Sequence, residues 1–163
     1  ESNDRALQNA DTIITQSLGC NYVFSKVEIK DQRFIIVNPG FIKKKAPLRI
    51  ALRALAFLVF AGEVKRQAMI PFRCWFSMVK KAYPLVKIDT LRMLHKIPKE
   101  NVMVICGTKD RYYCDEHEVE ILKREGIPYV QIDARHLWNK NTMRAVEKIL
   151  DQNNIPKFPR ILE

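Results

Sequence analysis

Three polar side chains of this chain are of the types that nucleophilic catalysis requires. Ser17 lies in the segment TQSLG, Asp110 ends the segment GTKD, and His136 follows later in the chain. A serine hydroxyl can attack a carbonyl carbon, a histidine can take and return its proton, and a carboxylate can orient the histidine. The order Ser, Asp, His therefore predicts serine-nucleophile chemistry, provided that the fold gathers the three side chains at one place.

Four short segments rich in apolar and β-branched residues predict the strands that would position these side chains. They cover residues 11–15, 33–38, 101–106 and 128–132. Helices are predicted over residues 3–10, 20–27, 115–125 and 141–152. This alternation predicts an α/β fold, a parallel sheet flanked by helices. Ser17, Asp110 and His136 would then lie beyond the carboxyl ends of the strands, where such sheets bind ligands.

The same patterns predict several details of packing. Because the strands read as continuous apolar runs, they are expected to be buried on both faces. Tyr22, Val23 and Val27 are expected to face inward from their helix, and Asn141 or Thr142 to cap the last helix.

A long basic insertion separates the second and third predicted strands. Residues 42–100 contain 14 Lys and Arg against three acids, so the net charge of +10 belongs to this segment. Such a surface suits nucleic acid, anionic lipid or an acidic substrate, and is also what a solvated face that keeps a protein soluble would show. The longest apolar run, residues 54–62, is too short to cross a bilayer.

Three helices are predicted within this insertion. The first covers residues 48–60 and the third residues 88–95, with Asp89 or Thr90 near its start. The second ends at Pro84. Its apolar face consists of Trp75, Phe76, Val79 and Tyr83.

The four cysteines show neither metal-ligand nor redox-pair spacing. Cys20 and Cys106 are expected to pack as small hydrophobes, which favours a reducing compartment and a cytoplasmic location. No signal peptide is visible, and the chain begins without Met, so a processed, excised or incompletely represented chain is expected.

On the segments DTIITQSLGCN, NVMVICGTKD and IDARHLWN, the chain resembles the C-terminal part of an α/β-hydrolase, from the nucleophile elbow to the final helix. The resemblance covers essentially all of residues 1–163 as one domain, with residues 42–100 as a helical cap or lid. Gly19 matches the second glycine of the family's G-x-S-x-G elbow, whereas Thr15 replaces the first.

The resemblance implies a role for each site residue. Ser17 would be the nucleophile, His136 the base, Asp110 the orienting acid, and the Leu18 N–H one donor to the oxyanion. Some relatives take the acid from the preceding strand end, but Asn38 stands there without a carboxylate. The implied substrate is an ester or thioester with an apolar acyl part, bound in a pocket lined by Phe41, Trp75 and Phe76. No metal or organic cofactor is implied.

The residues also allow a second interpretation, a catalytically inactive hydrolase-like scaffold whose basic cap meets an anionic partner. Taken singly, Ser17 could be a helix cap, Asp110 a turn former and His136 an ordinary loop histidine. The apolar cap residues could equally pack a helical subdomain, and the cap could contact a membrane surface. Nucleic acid is not expected, because no recognisable binding motif occurs.

The resemblance places a second oxyanion donor and further strands upstream of residue 1. Without them, the strand over 11–15 would be an open apolar edge, which natural proteins avoid. We therefore expect an N-terminal segment or a second chain to complete the sheet, or this chain to assemble with itself.

Overall fold

A computed structural model describes residues 2–40, 42, 49–50, 52–53, 56 and 72–152 of the protein. Its four strands form one parallel sheet in the order β1-β2-β3-β4, namely β1 Thr12–Gln16, β2 Arg33–Val37, β3 Val102–Gly107 and β4 Tyr129–Ile132. The described helices are α1 Ser2–Gln8, α2 Leu18–Lys26, α3 Phe72–Leu85, α4 Thr90–Leu94, α5 Glu116–Arg124 and α6 Lys140–Gln152, with a 3-10 turn at Lys99–Asn101. The predicted α/β class with a parallel sheet is confirmed.

The register of the sheet brings the strand ends to one edge. Gln16 pairs with Val37, Val37 with Ile105, and Gly107 with Ile132. Because all four strands run in the same direction, the loops that begin after them leave the sheet side by side.

The core lies on both faces of this sheet. Ile13, Phe34, Ile36 and Val104 belong to a large cluster that includes the buried face of α2. Ile35, Val37 and Ile105 point the other way and pack with Val146 and Leu150 of α6. This alternation is the period of two that an extended strand imposes.

Burial on both faces holds for the central strands but is wrong for the edge strands. Apart from the exposed Arg33, every residue of β2 is buried, whereas β1 alternates and β4 has two exposed residues, one of them Val130. An edge strand has a neighbour on only one side, so its side chains meet fewer packed atoms.

Two tyrosines are exposed, one predicted to face inward and the other predicted to lie on an apolar helical face. Tyr22 is 39% exposed, and its hydroxyl donates to Asp4. Tyr83 is 51% exposed, and the Lys87 ammonium lies over its ring. A tyrosine can leave its polar end in water while its ring contacts a neighbour, so apolar periodicity overestimates its burial.

One of the two predicted helix starts is confirmed, and an aspartate caps a further helix. Asp89 caps α4 and Asp115 caps α5, each by accepting from a backbone N–H three residues on. The cap of α6 is Asn139, whose side-chain oxygen accepts from the N–H groups of Asn141 and Thr142. The prediction of Asn141 or Thr142 as the cap is therefore wrong.

Several predictions fall on residues outside the described ones. They concern Phe41 and most of the helix over 48–60, and the side chains of Trp75, Phe76 and Val79 are likewise outside. Among the helices that the structure does describe, none combines the length and apolar content that a membrane crossing requires.

Candidate active site

Ser17 occupies a strained turn between β1 and α2. Its backbone φ of 53° and ψ of −130° lie outside the usual regions for a residue with a side chain, at a cost of about 1–3 kcal/mol. The turn is held because the Ser17 N–H donates to the Val37 carbonyl, and the Ser17 carbonyl accepts from the Cys20 N–H. Strain that the surrounding fold maintains in this way is typical of functional sites.

Thr15 and Gly19, which flank this turn, lie against each other. A Cβ placed on Gly19 would stand 3.0 Å from the Thr15 hydroxyl oxygen. The missing side chain of Gly19 therefore leaves room for the threonine that stands two residues before Ser17.

The structure brings Ser17, His136 and Asp110 into one hydrogen-bonded row. His136 Nε2 lies 2.8 Å from Ser17 Oγ, and His136 Nδ1 lies 2.6 Å from Asp110 Oδ2. An ionised carboxylate can only accept, so the ring proton sits on Nδ1 and leaves Nε2 to accept from the serine hydroxyl. This is the tautomer that a general base requires.

Asp110 is buried and surrounded by backbone donors. Its Oδ1 accepts from the N–H groups of Tyr112 and Tyr113, and its Oδ2 accepts from that of Cys114. Burial alone would raise the pKa of Asp110, but the hydrogen bond and charge of His136, together with the N–H groups of Tyr113 and Tyr112, hold that pKa below its ordinary value. The carboxylate therefore stays ionised beside the imidazole.

The lowered pKa of Asp110 predicts an acid-sensitive contribution to stability. The folded pKa lies below the unfolded value of about 3.9, so this contribution is complete above that pH and is lost as the pH falls through the folded pKa. In urea denaturation at a series of pH values, Asp110→Asn should flatten the acid side of the curve of unfolding free energy. Parallel curves for the variant and the wild type would contradict the assignment.

The imidazole of His136 is enclosed on one side by an aromatic ring. The Tyr113 ring lies 4.5 Å from it between centroids, at 39°. Burial, with a smaller effect from the charge of Asp110, raises the pKa of Tyr113 to about 12, so its phenol is neutral near pH 7. His136 is buried, and this packing restricts how its ring can turn.

Leu18 provides a backbone donor next to the Ser17 hydroxyl. It is the first residue of α2, so its N–H has no acceptor within the helix. Gly40 passes beside it, and a Cβ there would lie 3.6 Å from the Leu18 nitrogen. Among the described residues, none accepts from this N–H, so the start of α2 carries a donor of the kind that stabilises negative charge.

Gly107 permits the close approach of the two loops that carry Asp110 and His136. A Cβ on Gly107 would lie 2.4 Å from the Ala134 carbonyl oxygen, which accepts from the Lys109 N–H. Gly107→Ala should therefore lower the free energy of unfolding by about 1–3 kcal/mol, because the loops must separate. Gly40→Ala is the matched control in chemical denaturation, since its nearest contact is an ordinary 3.5 Å. Equal losses for the two variants would contradict this explanation.

Two features of the site escaped the sequence analysis. Asn38 and Gln16 bond the main chain at His136, although Asn38 had been considered only as a position without a carboxylate. Cys106 and Cys114 lie together in the core with their sulfur atoms 3.0 Å apart, and the bond to Cys106, with burial, raises the pKa of Cys114. For Asn38, one sequence signal was available. It is an asparagine before Pro-Gly at a strand end, and asparagine tolerates a left-handed backbone.

The chain matches no protein-family model, no curated protein and no solved structure. The resemblance to α/β-hydrolases thus rests on its three sequence segments.

Proposed function

We propose that this protein is a serine hydrolase of the α/β-hydrolase class, acting on a carboxylic ester or thioester through an acyl-enzyme. The observation that carries the proposal is the hydrogen-bonded row from Ser17 through His136 to Asp110 at the carboxyl edge of a parallel sheet. Such a row supplies nucleophile, base and orienting acid in the geometry that acyl transfer requires.

In the proposed reaction, Ser17 Oγ attacks the carbonyl carbon while its proton passes to His136 Nε2. Asp110 stabilises the imidazolium that results, and His136 then protonates the departing alcohol or thiol. The acyl group remains on Ser17 as an ester. Water attacks that ester with His136 as base, releasing the acid and restoring the serine.

The Leu18 N–H would donate to the oxyanion that forms in each half of this reaction. Donors of this kind lower the barrier by about 3 kcal/mol each. The strained Ser17 backbone supports the same role, because the turn keeps nucleophile and donor adjacent before substrate arrives.

We also propose that residues 42–100 form a cap over the site, with Phe41, Trp75 and Phe76 lining the acyl pocket. Arg53 supports this placement. Its guanidinium donates to the Tyr112 carbonyl and, at 2.7 Å, to Asp115 Oδ2. The basic segment therefore touches the loop that carries Asp110.

The partner and compartment proposals rest on separate observations. Among the described residues, β1 pairs only with β2, so we propose that an N-terminal segment or a second chain adds a strand at its free edge. All four cysteines are free thiols, which supports a reducing, cytoplasmic setting.

A fluorophosphonate probe tests the proposed function on the full chain. We expect one covalent adduct, mapped to Ser17 by peptide mass, that heat-unfolded protein does not form. Labelling that is missing, or that survives Ser17→Ala, would contradict the proposal. Missing labelling would favour the inactive scaffold, whose binding to an anionic partner would weaken steeply with salt.

A further inference from the structure

We propose that Asn38, together with Gln16, is a positioning residue that fixes the catalytic histidine through its main chain. The two side-chain amides hold the carbonyl oxygen of His136, and we call this pair the His136 clamp. The inference rests on the proposed function and adds to it a second set of groups that act on the base without touching substrate.

Asn38 is fully buried at the end of β2, and every polar atom of its side chain is used. Its Oδ1 accepts from the Gly107 N–H at 2.7 Å, while its Nδ2 donates to the carbonyls of Arg135 at 3.0 Å and His136 at 2.9 Å. Because the Gly107 N–H requires an oxygen, the amide can be oriented in only one way. Asn38 thus joins the start of the acid loop to the loop that carries the base.

Gln16 reaches the same carbonyl from the neighbouring strand. Its Nε2 donates to the His136 oxygen at 2.6 Å, and it directly precedes Ser17. One main-chain oxygen therefore receives amide donors from the ends of β1 and β2. The clamp connects the strand of the nucleophile to the backbone of its base.

The base has a particular need for such support. His136 lies between β4 and α6 in a segment with no helix or strand bonding of its own. Its ring must meet Ser17 and Asp110 at once, and a misplacement of about 1 Å can cost a hundred-fold in rate. To the two hydrogen bonds of the ring, the clamp adds two at the main-chain oxygen of the same residue.

The backbone of Asn38 makes Asn38→Asp the sharpest test. Its φ of 43° is left-handed, a region that asparagine and aspartate both tolerate. Aspartate keeps the size and the bond from Gly107, but it replaces the amide donor with an oxygen facing two carbonyl oxygens. The substitution therefore reverses the clamp without removing the side chain.

Asn141→Asp provides a matched control. Asn141 also donates its Nδ2 to a carbonyl of this loop, that of Asp133 at 2.7 Å, but it is exposed and reaches neither Arg135 nor His136. The same chemical change is thus made in the same loop outside the clamp.

The experiment compares the rate of fluorophosphonate labelling at Ser17 with the proton resonance of His136 Nδ1–H in the full chain. Labelling is measured at a series of pH values. We expect Asn38→Asp to slow it about a hundred-fold at each pH, and to shift or broaden the Nδ1–H resonance. Asn141→Asp should match the wild type in both. Gln16→Met should change both in the same direction, and it decides the matter if Asn38→Asp does not fold.

The outcomes separate the two proposals. Labelled wild type together with unchanged rates and resonances in the folded clamp variants would overturn the clamp alone. Wild type that does not label at Ser17 would overturn the proposed function, and with it the role of the clamp in positioning a catalytic base.

Discussion

Ser17→Ala is expected to lower kcat for ester hydrolysis by about a million-fold, leaving only the residual rate that oxyanion donors and binding can supply. The side chain removed is the one 2.8 Å from His136 Nε2, and alanine offers His136 no proton to take. Binding of substrate should change little, because the proposed acyl pocket is not altered. Steady-state turnover of a p-nitrophenyl ester measures the effect, with far-UV circular dichroism to establish that the variant folds.

Ser25→Ala is the control for this prediction. Ser25 lies on α2, the helix that Ser17 directly precedes. Its hydroxyl is exposed and donates to the Tyr22 carbonyl. Turnover should be unchanged in this variant. A Ser17→Ala protein that kept most of its activity would place the nucleophile elsewhere.

Asp110→Asn is expected to lower turnover about ten-thousand-fold. The asparagine oxygen would still accept from the N–H groups of Tyr112 and Tyr113, which turns its NH₂ toward His136. His136 Nδ1 would then have to accept, so the ring proton would move to Nε2. In that tautomer the ring cannot take the proton of Ser17, although all three side chains remain in place.

Asp133→Asn tests whether any nearby carboxylate would serve. Asp133 is close to His136 in sequence, but its side chain is 67% exposed and pairs with Lys109 at 2.6 Å. Surface pairs of this kind contribute little, so turnover should stay near the wild-type value. Comparable losses in Asp133→Asn and Asp110→Asn would indicate a general charge effect and contradict the orienting role.

The predictions that held were those carried by local sequence. Runs such as RFIIV and NVMVIC indicate buried parallel strands because β-branched residues pack well there. Asp89 and Asp115 indicate helix starts because their side chains bond backbone only three residues away. Three such strands, each followed by a reactive side chain, were enough to predict a shared edge.

The features that sequence did not reveal depend on the register between distant segments. Asn38 and His136 are 98 residues apart in sequence. They meet because β2 and β4 lie on either side of β3 and end at the same edge of the sheet. Sequence did not identify Asn139 as the cap because several polar residues occur together there. The cap is the one whose side-chain oxygen meets the first N–H groups of the helix, and this depends on the backbone conformation. The exposure of Tyr22 likewise depends on Asp4 of α1, which apolar periodicity does not encode.

The proposed acyl-enzyme can be observed directly with a short-chain p-nitrophenyl ester. The reaction is quenched with acid, and the mass of the intact protein is measured by mass spectrometry. We expect one added acyl group during turnover, mapped to the peptide that contains Ser17 and missing from Ser17→Ala. Turnover that proceeds with no acyl group on the protein, or with one on another residue, would contradict it.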